Sequence, residues 1–370
     1  MMQLFIKPNI FKYGDCAGFA TDFGIGKGDL IITNAFIYDP FFGSLSLGAD
    51  VLYQEKYGSG EPSDDMAEAI YADIRGTYKR IIAIGGGTVI DLAKLYALKN
   101  ISPVIDLFDR KYDIIKDKEL IIVPTTCGTG SEVTNISILE LKSRQTKMGL
   151  AVDELYADSA VLIPELLSSL PYQFFATSSI DALIHAAESC VSPKATLYTR
   201  MFAYRAIEII VRGYQLISRD GKDARIPLLE DFLIASNLAG IAFANAGVGA
   251  VHAMSYPLGG KYHVPHGEAN YALFTRIFEE YMSISQEGAV AGLNKLLAEL
   301  LGCGQEEVYV ELAKLLNVIL PLRKLREYGV TDADIDDFTA NVMEKQGRLT
   351  ANNFVPLDAD RVAAIYMGLV

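Results

Sequence analysis

Residues 80–91 read RIIAIGGGTVID. An apolar, β-branched run leads here directly into three glycines, and the apolar-periodic segment 92–96 follows. This order predicts a buried strand that ends in a glycine-rich turn at the start of a helix. Similar apolar runs occur at residues 30–33 and 120–123. Continuous apolar runs separated by helical patterns are typical of a parallel sheet covered on both faces, which indicates a Rossmann-like α/β fold.

The second half of the chain has a different character. After Pro164, long stretches rich in Ala, Leu, Ile and Glu dominate, and residues 177–179, Thr-Ser-Ser, resemble a helix start. We therefore expect residues 1–165 to form a Rossmann-like α/β domain and residues 166–370 an all-helical domain. The boundary should lie between Pro164 and Pro171, with the two domains packed around a cleft.

Composition limits the partners of the protein. The 33 Lys and Arg against 46 Asp and Glu give a net charge of −13, which opposes binding to nucleic acid or to an anionic membrane. The N-terminus lacks a secretory pattern, and the most apolar run, residues 238–251, is too short to span a bilayer and predicts a buried helix. We expect a cytoplasmic protein with reduced thiols, since no C-x-x-C pair occurs among Cys16, Cys127, Cys190 and Cys303.

Two loops carry the residue types that bind phosphate. Without Cβ atoms, Gly85, Gly86 and Gly87 let the backbone approach a pyrophosphate at a helix N-terminus, although the same glycines would also suit a close-packed turn. The second loop, residues 124–132, reads PTTCGTGSE and follows another predicted strand. Its hydroxyls suit either a nucleotide or a tight Ser/Thr turn. Their shared position at strand ends favours a nucleotide.

Histidine is rare in this chain, and its positions are informative. Asp181 and His185 are four residues apart, so they lie on one face of a helix, as metal ligands or as an ordinary polar pair. His252 is expected to end a helix, and a turn at residues 257–260 would fold His266 back toward it. One carboxylate and three imidazoles suit Fe²⁺ or Zn²⁺. His263 is a residue that could orient a ligand, shuttle a proton or simply lie in a polar loop.

Taken in order and approximate spacing, these motifs resemble the iron-containing alcohol dehydrogenase family over nearly the whole chain. The resemblance implies an N-terminal dinucleotide-binding domain and a helical metal-binding domain, an architecture related to that of dehydroquinate synthase. It implies NAD (or NADP), Fe²⁺ (or Zn²⁺), a small alcohol or aldehyde substrate, and a homodimer or higher homo-oligomer. Residues 124–135 and 252–260 are most similar to the subgroup that acts on 4-hydroxybutyrate.

The resemblance also assigns individual residues. The implied metal ligands are Asp181, His185, His252 and His266. The implied cofactor-binding residues are Gly85, Gly86, Gly87, Thr88, Asp91, Thr125, Thr126, Thr129 and Lys147. The chain differs from many family members at two positions: Asn34 stands where an Asp binds the adenosine ribose, and Tyr256 stands where a histidine is discussed as a proton relay. The choice between NAD and NADP is thus open. Tyr256 and His263 are the candidate proton-relay residues.

Other functions fit parts of this pattern. A dehydrogenase of another small alcohol or aldehyde, such as lactaldehyde, propanediol or butanol, would use the same residues. A dehydroquinate-synthase-like lyase also pairs NAD with a metal, but the resemblance to that group would lead us to expect a Glu at Asp181. A sensor that binds NAD and metal without turnover would fit only poorly, because no ligand is missing from the set.

Overall fold

The computed structural model describes residues 2–144 and 146–370. The chain divides into two compact units, one formed by Ile6–Leu170 and the other by Pro171–Val370 with the N-terminal segment that ends at Phe5. The first unit is built on a parallel sheet and the second on helices. The α/β class of the N-terminal half and the helical class of the C-terminal half are therefore confirmed.

A six-stranded sheet forms the centre of the first unit. Its strands run parallel in the order β1-β8-β5-β4-β2-β3, and an antiparallel hairpin, β6-β7, lies outside it. The sequence did not predict this hairpin. The strands are β1 Asn9–Lys12, β2 Asp29–Thr33, β3 Asp50–Tyr53, β4 Arg80–Gly85, β5 Glu119–Pro124, β6 Ile136–Leu141, β7 Thr146–Ala151 and β8 Ser159–Leu162.

The central strands are buried along almost their whole length because helices cover the sheet. These helices are α1 Cys16–Asp22, α2 Ala35–Phe41, α3 Asp64–Asp73, α4 Gly87–Tyr96 and α5 Val104–Phe108. Short 3₁₀ helices connect them at Gly43–Leu45, Gln54–Tyr57, Ser131–Val133, Lys142–Arg144, Asp153–Leu155 and Pro164–Leu167.

The predicted phosphate loops begin at neighbouring positions of one sheet edge. β4 and β5 are paired to their last residues, Gly85 opposite Pro124, and the Thr125 N–H donates to the Gly85 carbonyl at 3.1 Å. Both strands are parallel, so both loops leave from their carboxyl ends. This edge is where nucleotides bind in doubly wound sheets.

The second unit is a helical bundle. Helices α6, α7 and α8 pack on one another, and α10 packs on α6 and α9. The helices are α6 Tyr172–Val191, α7 Leu197–Asp220, α8 Leu229–Ala246, α9 Ala250–Tyr262, α10 His266–Ile284, α11 Ala289–Leu301, α12 Val308–Ile319, α13 Ile335–Lys345, α14 Gly347–Thr350 and α15 Ala359–Leu369. Additional 3₁₀ helices occupy Lys222–Leu228, Leu325–Tyr328 and Asp332–Asp334.

The predicted start of the first long helix was wrong. Helix α6 begins at Tyr172 with Pro171 as its N-cap, five residues before Thr177. Inside the helix the hydroxyls of Thr177 and Ser179 donate to the carbonyls of Gln173 and Phe175, four residues earlier. Hydroxyl side chains can bond back to the preceding turn in this way, so they do not mark a helix start here.

Two further boundaries differ from the prediction. Residues 238–251 do not form one helix, because Gly247, at φ +76°, ends α8 and a new helix, α9, starts at Ala250. His252 therefore begins a helix rather than ending one. Residues 257–260 lie within α9, and the chain reverses later, where His263 adopts φ +53° and Pro265 caps α10.

One helical span, Lys222–Ala246, is long and apolar enough to cross a membrane by length and composition alone. Over half of its most apolar window, 56%, is buried inside the protein. Core helices of helical bundles have this character, and α8 packs against both α6 and α7.

Candidate metal centre

The four predicted ligands meet in the helical unit. Asp181 and His185 project from one face of α6, His252 from the first turn of α9, and His266 is the first residue of α10. One potential ligand atom from each lies within 4.8 Å of all the others. The helical spacing of Asp181 and His185 thus directs both side chains to one point. His252 and His266, far along the chain, reach the same point.

Three members of this cluster are buried, while His266 is partly open. The side chains of Asp181, His185 and His252 are at most 6% exposed, whereas that of His266 is 34% exposed. Phe243 stacks on the His185 ring with centroids 4.3 Å apart. The cluster therefore has a closed apolar side and a side that a small molecule can reach.

The hydrogen bonds around the cluster orient its imidazole nitrogens as metal ligands require. His252 Nδ1 lies 2.6 Å from a Glu188 oxygen, and a carboxylate only accepts, so Nδ1 carries the proton. His252 Nε2 then presents a lone pair, 3.0 Å from His185 Nε2. A carboxylate and converging imidazole nitrogens are suited to a divalent transition metal.

Asn270 provides a second indication. Its Nδ2 lies 2.8 Å from Asp181 Oδ1, 3.1 Å from His252 Nε2 and 3.2 Å from His266 Nε2. Two amide hydrogens cannot serve three acceptors fully. Moreover, the buried Asn270 Oδ1 has no hydrogen-bond partner among the described residues. The donor set fits a bound Fe²⁺ or Zn²⁺ ion.

The charge state of Asp181 also fits cation binding. Burial raises the pKa of this carboxyl, but the nearby imidazoles of His185, His266 and His252, together with the Asn270 amide, outweigh burial and lower the pKa below its usual value. Asp181 is therefore an anion in the buried cluster, where an uncompensated charge would be costly.

Helices α6 and α10 approach closely beside this cluster because residue 267 is glycine. A Cβ atom added at Gly267 would lie 2.7 Å from the Thr177 carbonyl oxygen and 3.3 Å from the Asp181 Cβ. Any side chain there would push His266 away from Asp181.

The Gly267→Ala variant is accordingly expected to lower the free energy of unfolding of the metal-free protein by about 1–3 kcal/mol and to weaken metal binding. Thermal unfolding and metal titration measure the two effects. Gly260→Ala is the matched control, since a Cβ there meets nothing within 4 Å. Equal unfolding free energies and equal metal affinities of the two variants would contradict the close approach of α6 and α10 at Gly267.

The two predicted relay residues lie in different surroundings. The Tyr256 ring is partly buried on α9, with its centroid 6.4 Å from that of His266. His263 is exposed at the end of α9, and none of the described hydrogen bonds joins it to the cluster. Geometry therefore favours Tyr256 over His263.

The glycine and threonine loops of the sheet unit pack against each other. A Cβ at Gly86 would lie 3.4 Å from Thr126 Cγ2, and one at Gly87 would lie 3.1 Å from Thr129 Cγ2. At Gly85 it would clash with the Val89 side chain at 2.6 Å. The glycines thus allow the close packing that one of the two sequence interpretations expects, and the binding of a pyrophosphate stays a prediction.

Asp91 has a supporting position in this loop pair. Its carboxylate accepts from the Ile138 N–H at 3.0 Å and from Ser131 Oγ at 3.2 Å, and Lys94 Nζ lies 3.8 Å away. Burial raises the pKa of Asp91 and lowers that of Lys94, with the mutual attraction opposing both shifts. Asp91 therefore ties α4 to the second loop and to the hairpin.

The other predicted cofactor residues make polar contacts of their own within the sheet unit. The Thr88 hydroxyl donates to the Gly60 carbonyl at 2.9 Å, and Thr125 is buried beside Gly85. Lys147, on β7, forms an ion pair with Glu61. Asn34 is almost buried, and its amide donates to Gln54 and to Glu55.

Sequence reasoning missed Glu188, Asn270 and Glu55. Glu188 follows His185 by three residues and Asn270 follows His266 by four, so helical spacing offered a signal for both. No comparable signal marks Glu55, because it lies in a 3₁₀ helix whose position depends on the sheet.

Profiles of one protein family match both halves of the chain. The profile of the iron-containing alcohol dehydrogenases matches residues 10–164, and that of the Fe-containing alcohol dehydrogenase family, C-terminal, matches residues 175–370. The 4-hydroxybutyrate dehydrogenase of Clostridium kluyveri is 52% identical over 370 residues, which is 100% of both chains. Long-chain-alcohol dehydrogenase 1 of Geobacillus thermodenitrificans is 34% identical over 83% of this chain and 79% of its own.

Solved structures share the fold at low sequence identity. The sulfoacetaldehyde reductase from Bifidobacterium kashiwanohense, in complex with NAD⁺, superposes with a TM-score of 0.83 at 23% identity, covering 100% of this chain and 99% of that one. A 1,3-propanediol oxidoreductase gives 0.81 at 23% identity, with 100% coverage of both. Because the profiles match both halves of the chain, the lyase and sensor alternatives are not favoured. The chain belongs to the iron-containing alcohol dehydrogenase family and is a metal-dependent, NAD-linked oxidoreductase.

Proposed function

We propose that this protein interconverts 4-hydroxybutyrate and succinate semialdehyde. Oxidation transfers a hydride from the carbinol carbon to NAD⁺ and releases the hydroxyl proton, which yields the aldehyde, NADH and H⁺. The observation that carries the proposal is the 52% identity to the Clostridium kluyveri enzyme along the full length of both chains. The complete Asp and His cluster supports turnover rather than binding alone.

In this proposal Asp181, His185, His252 and His266 hold the metal ion. When bound, the ion and the dinucleotide supply Lewis-acid stabilisation of negative charge on the substrate oxygen and a hydride acceptor or donor. Glu188 keeps the His252 proton on Nδ1, which leaves Nε2 free to ligate.

Tyr256 is the proposed residue for moving the hydroxyl proton, with His263 as the second candidate. Tyr256 lies beside His266, the most accessible member of the cluster. The exposed position of His263 suits exchange of that proton with water.

Residues 1–165 form the dinucleotide-binding domain in this proposal, and residues 166–370 the metal-binding domain. The backbone of Gly85, Gly86 and Gly87 would bind the pyrophosphate at the N-terminus of α4. The remaining proposed cofactor-binding residues are Asn34, Thr88, Asp91, Thr125, Thr126, Thr129 and Lys147. Asp91 acts by holding the two loops together, because its carboxylate is committed to Ser131 and Ile138.

We also propose a cytoplasmic homodimer. The four cysteines, all in the described part of the chain, are not joined in disulfides, and three of them are buried, which suits a reducing compartment. The net charge of −13 suits a soluble enzyme that does not associate with anionic membranes.

The test compares succinate semialdehyde with butanal, its four-carbon counterpart without a carboxylate. Protein purified without air and loaded with Fe²⁺ or Zn²⁺ is expected to oxidise NADH with a kcat/KM at least about tenfold higher for the semialdehyde, because a site built for a charged group rejects an analogue that lacks it. NADH absorbance measures the rate. If butanal, propanal or lactaldehyde were turned over faster than succinate semialdehyde, the protein would still be a dehydrogenase, but the proposed substrate would be wrong.

A further inference from the structure

Asn34 has a carboxylate neighbour, Glu55, in the 3₁₀ helix that follows the adjacent strand β3. In the sheet, β2 pairs with β4 on one side and with β3 on the other, all in parallel. The carboxyl ends of β4, β2 and β3 therefore follow one another along one edge. Asn34 comes directly after β2, and Glu55 comes two residues after the end of β3.

Glu55 is held in a defined position. Its Oε2 accepts from Asn34 Nδ2 at 2.9 Å, and its Oε1 accepts from the Ala35 N–H at 2.7 Å. The Asn34 amide also donates to Gln54 Oε1 at 3.2 Å, and Gln54 Nε2 donates to the Gly58 carbonyl at 3.0 Å. Asn34 and Gln54 are buried, yet Glu55 is exposed. The buried amides thus orient a carboxylate that remains accessible.

The segment that follows Glu55 reaches the glycine loop. Thr88, in the first turn of α4, donates its hydroxyl to the carbonyl of Gly60 at 2.9 Å. A dinucleotide whose pyrophosphate lies on Gly85–Gly87 would extend its adenosine along the edge toward β2 and β3. In doubly wound sheets an acidic side chain in this region binds the ribose hydroxyls.

We propose that Glu55 selects NAD over NADP. Its carboxylate would accept hydrogen bonds from the hydroxyls of the adenosine ribose and would repel a 2′-phosphate. The inference rests on the proposed cofactor site. Asn34 does not bind the ribose itself but positions Glu55. A 2′-phosphate would face a carboxylate for which the described residues provide no ion-pair partner, and the N–H of Ala35 is already taken by that carboxylate. Like charges brought together at a binding site are strongly unfavourable.

Direct binding of NADH and NADPH, followed by nicotinamide fluorescence, tests this without turnover. The wild-type protein is expected to bind NADPH at least about tenfold more weakly than NADH. Glu55→Gln should weaken NADH binding by about tenfold through loss of a charged acceptor, while NADPH binding stays equal or tightens, so the preference largely disappears. Asn34→Ala, which frees Glu55 to move, should reduce the preference to a smaller extent.

Glu119→Gln is the matched control. Glu119 is an exposed residue at the amino end of β5, on the opposite edge of the same sheet. The Glu119→Gln variant removes the same charge as Glu55→Gln and should keep the wild-type preference for NADH. A Glu55→Gln protein that keeps the NADH preference, or a wild type that binds NADPH as well as NADH, would overturn the proposal. A wild type that binds neither dinucleotide would instead overturn the cofactor site itself.

Discussion

Replacing His266 by alanine is expected to remove the bound metal and to lower turnover by at least about a thousandfold. Metal stabilisation of charge on the reacting oxygen contributes several kcal/mol, and each 1.36 kcal/mol corresponds to about tenfold in rate. His266 is the best ligand to remove because its side chain is partly exposed at the start of α10. Truncation there leaves no internal cavity, whereas Asp181, His185 and His252 are buried.

Elemental analysis after dialysis measures the metal of the His266→Ala protein, and NADH fluorescence measures dinucleotide binding. Because the glycine loop belongs to the other unit, dinucleotide binding should persist when the metal is lost. His263→Ala removes the remaining histidine of the chain and should retain the metal whatever its effect on turnover. If His266→Ala kept both metal and activity, the four-residue cluster would not be the metal centre.

The sequence predicted the parts of the structure that depend on local pattern. Continuous apolar runs located β2, β4 and β5 to within a residue or two at each end, because strands buried on both faces contain little else. The four-residue spacing of Asp181 and His185 predicted one helical face correctly. Spacing alone also left open whether this pair met a third ligand.

The errors arose where tertiary packing decides. The apolar run 238–251 looked like one helix, but Gly247 adopts a positive φ, and a Cβ there would lie 2.5 Å from the Asn352 side chain. Asn352, more than a hundred residues later in the chain, thus occupies the space that a side chain at residue 247 would need, where α8 ends. The break places His252 at the start of a new helix, where its ring can face α6.

Residues that support other residues were the hardest to find. Glu188 and Glu55 contact residues 64 and 21 positions away. Helical spacing could place Glu188 on the face of His185, but it does not reveal the contact with His252, and no local pattern marks Glu55. Asn34 illustrates the consequence: considered alone it left the choice between NAD and NADP open, whereas its hydrogen bond to Glu55 identifies a carboxylate from the segment after β3, to which we assign that choice.

Glu188→Gln is expected to weaken metal binding by about 10–100-fold although Glu188 is not itself one of the four ligands. The carboxylate accepts from two donors, the Val251 N–H at 2.7 Å and His252 Nδ1 at 2.6 Å. The amide of the variant has a single acceptor oxygen, and the backbone N–H cannot give up its proton. The amide nitrogen then faces His252 and favours the tautomer whose proton is on Nε2, which cannot ligate.

Competition with a metal-sensitive dye measures the affinity, and Glu280→Gln is the control. Glu280 is also a largely buried glutamate of the helical unit, paired with Arg276 and Arg361, but it lies fourteen residues along α10 from His266, about 21 Å away at 1.5 Å per residue. Both variants lose one buried charge, so general destabilisation should affect them similarly. Weaker metal binding in Glu188→Gln alone would assign the effect to the His252 tautomer, and equal weakening in both would remove that role from Glu188.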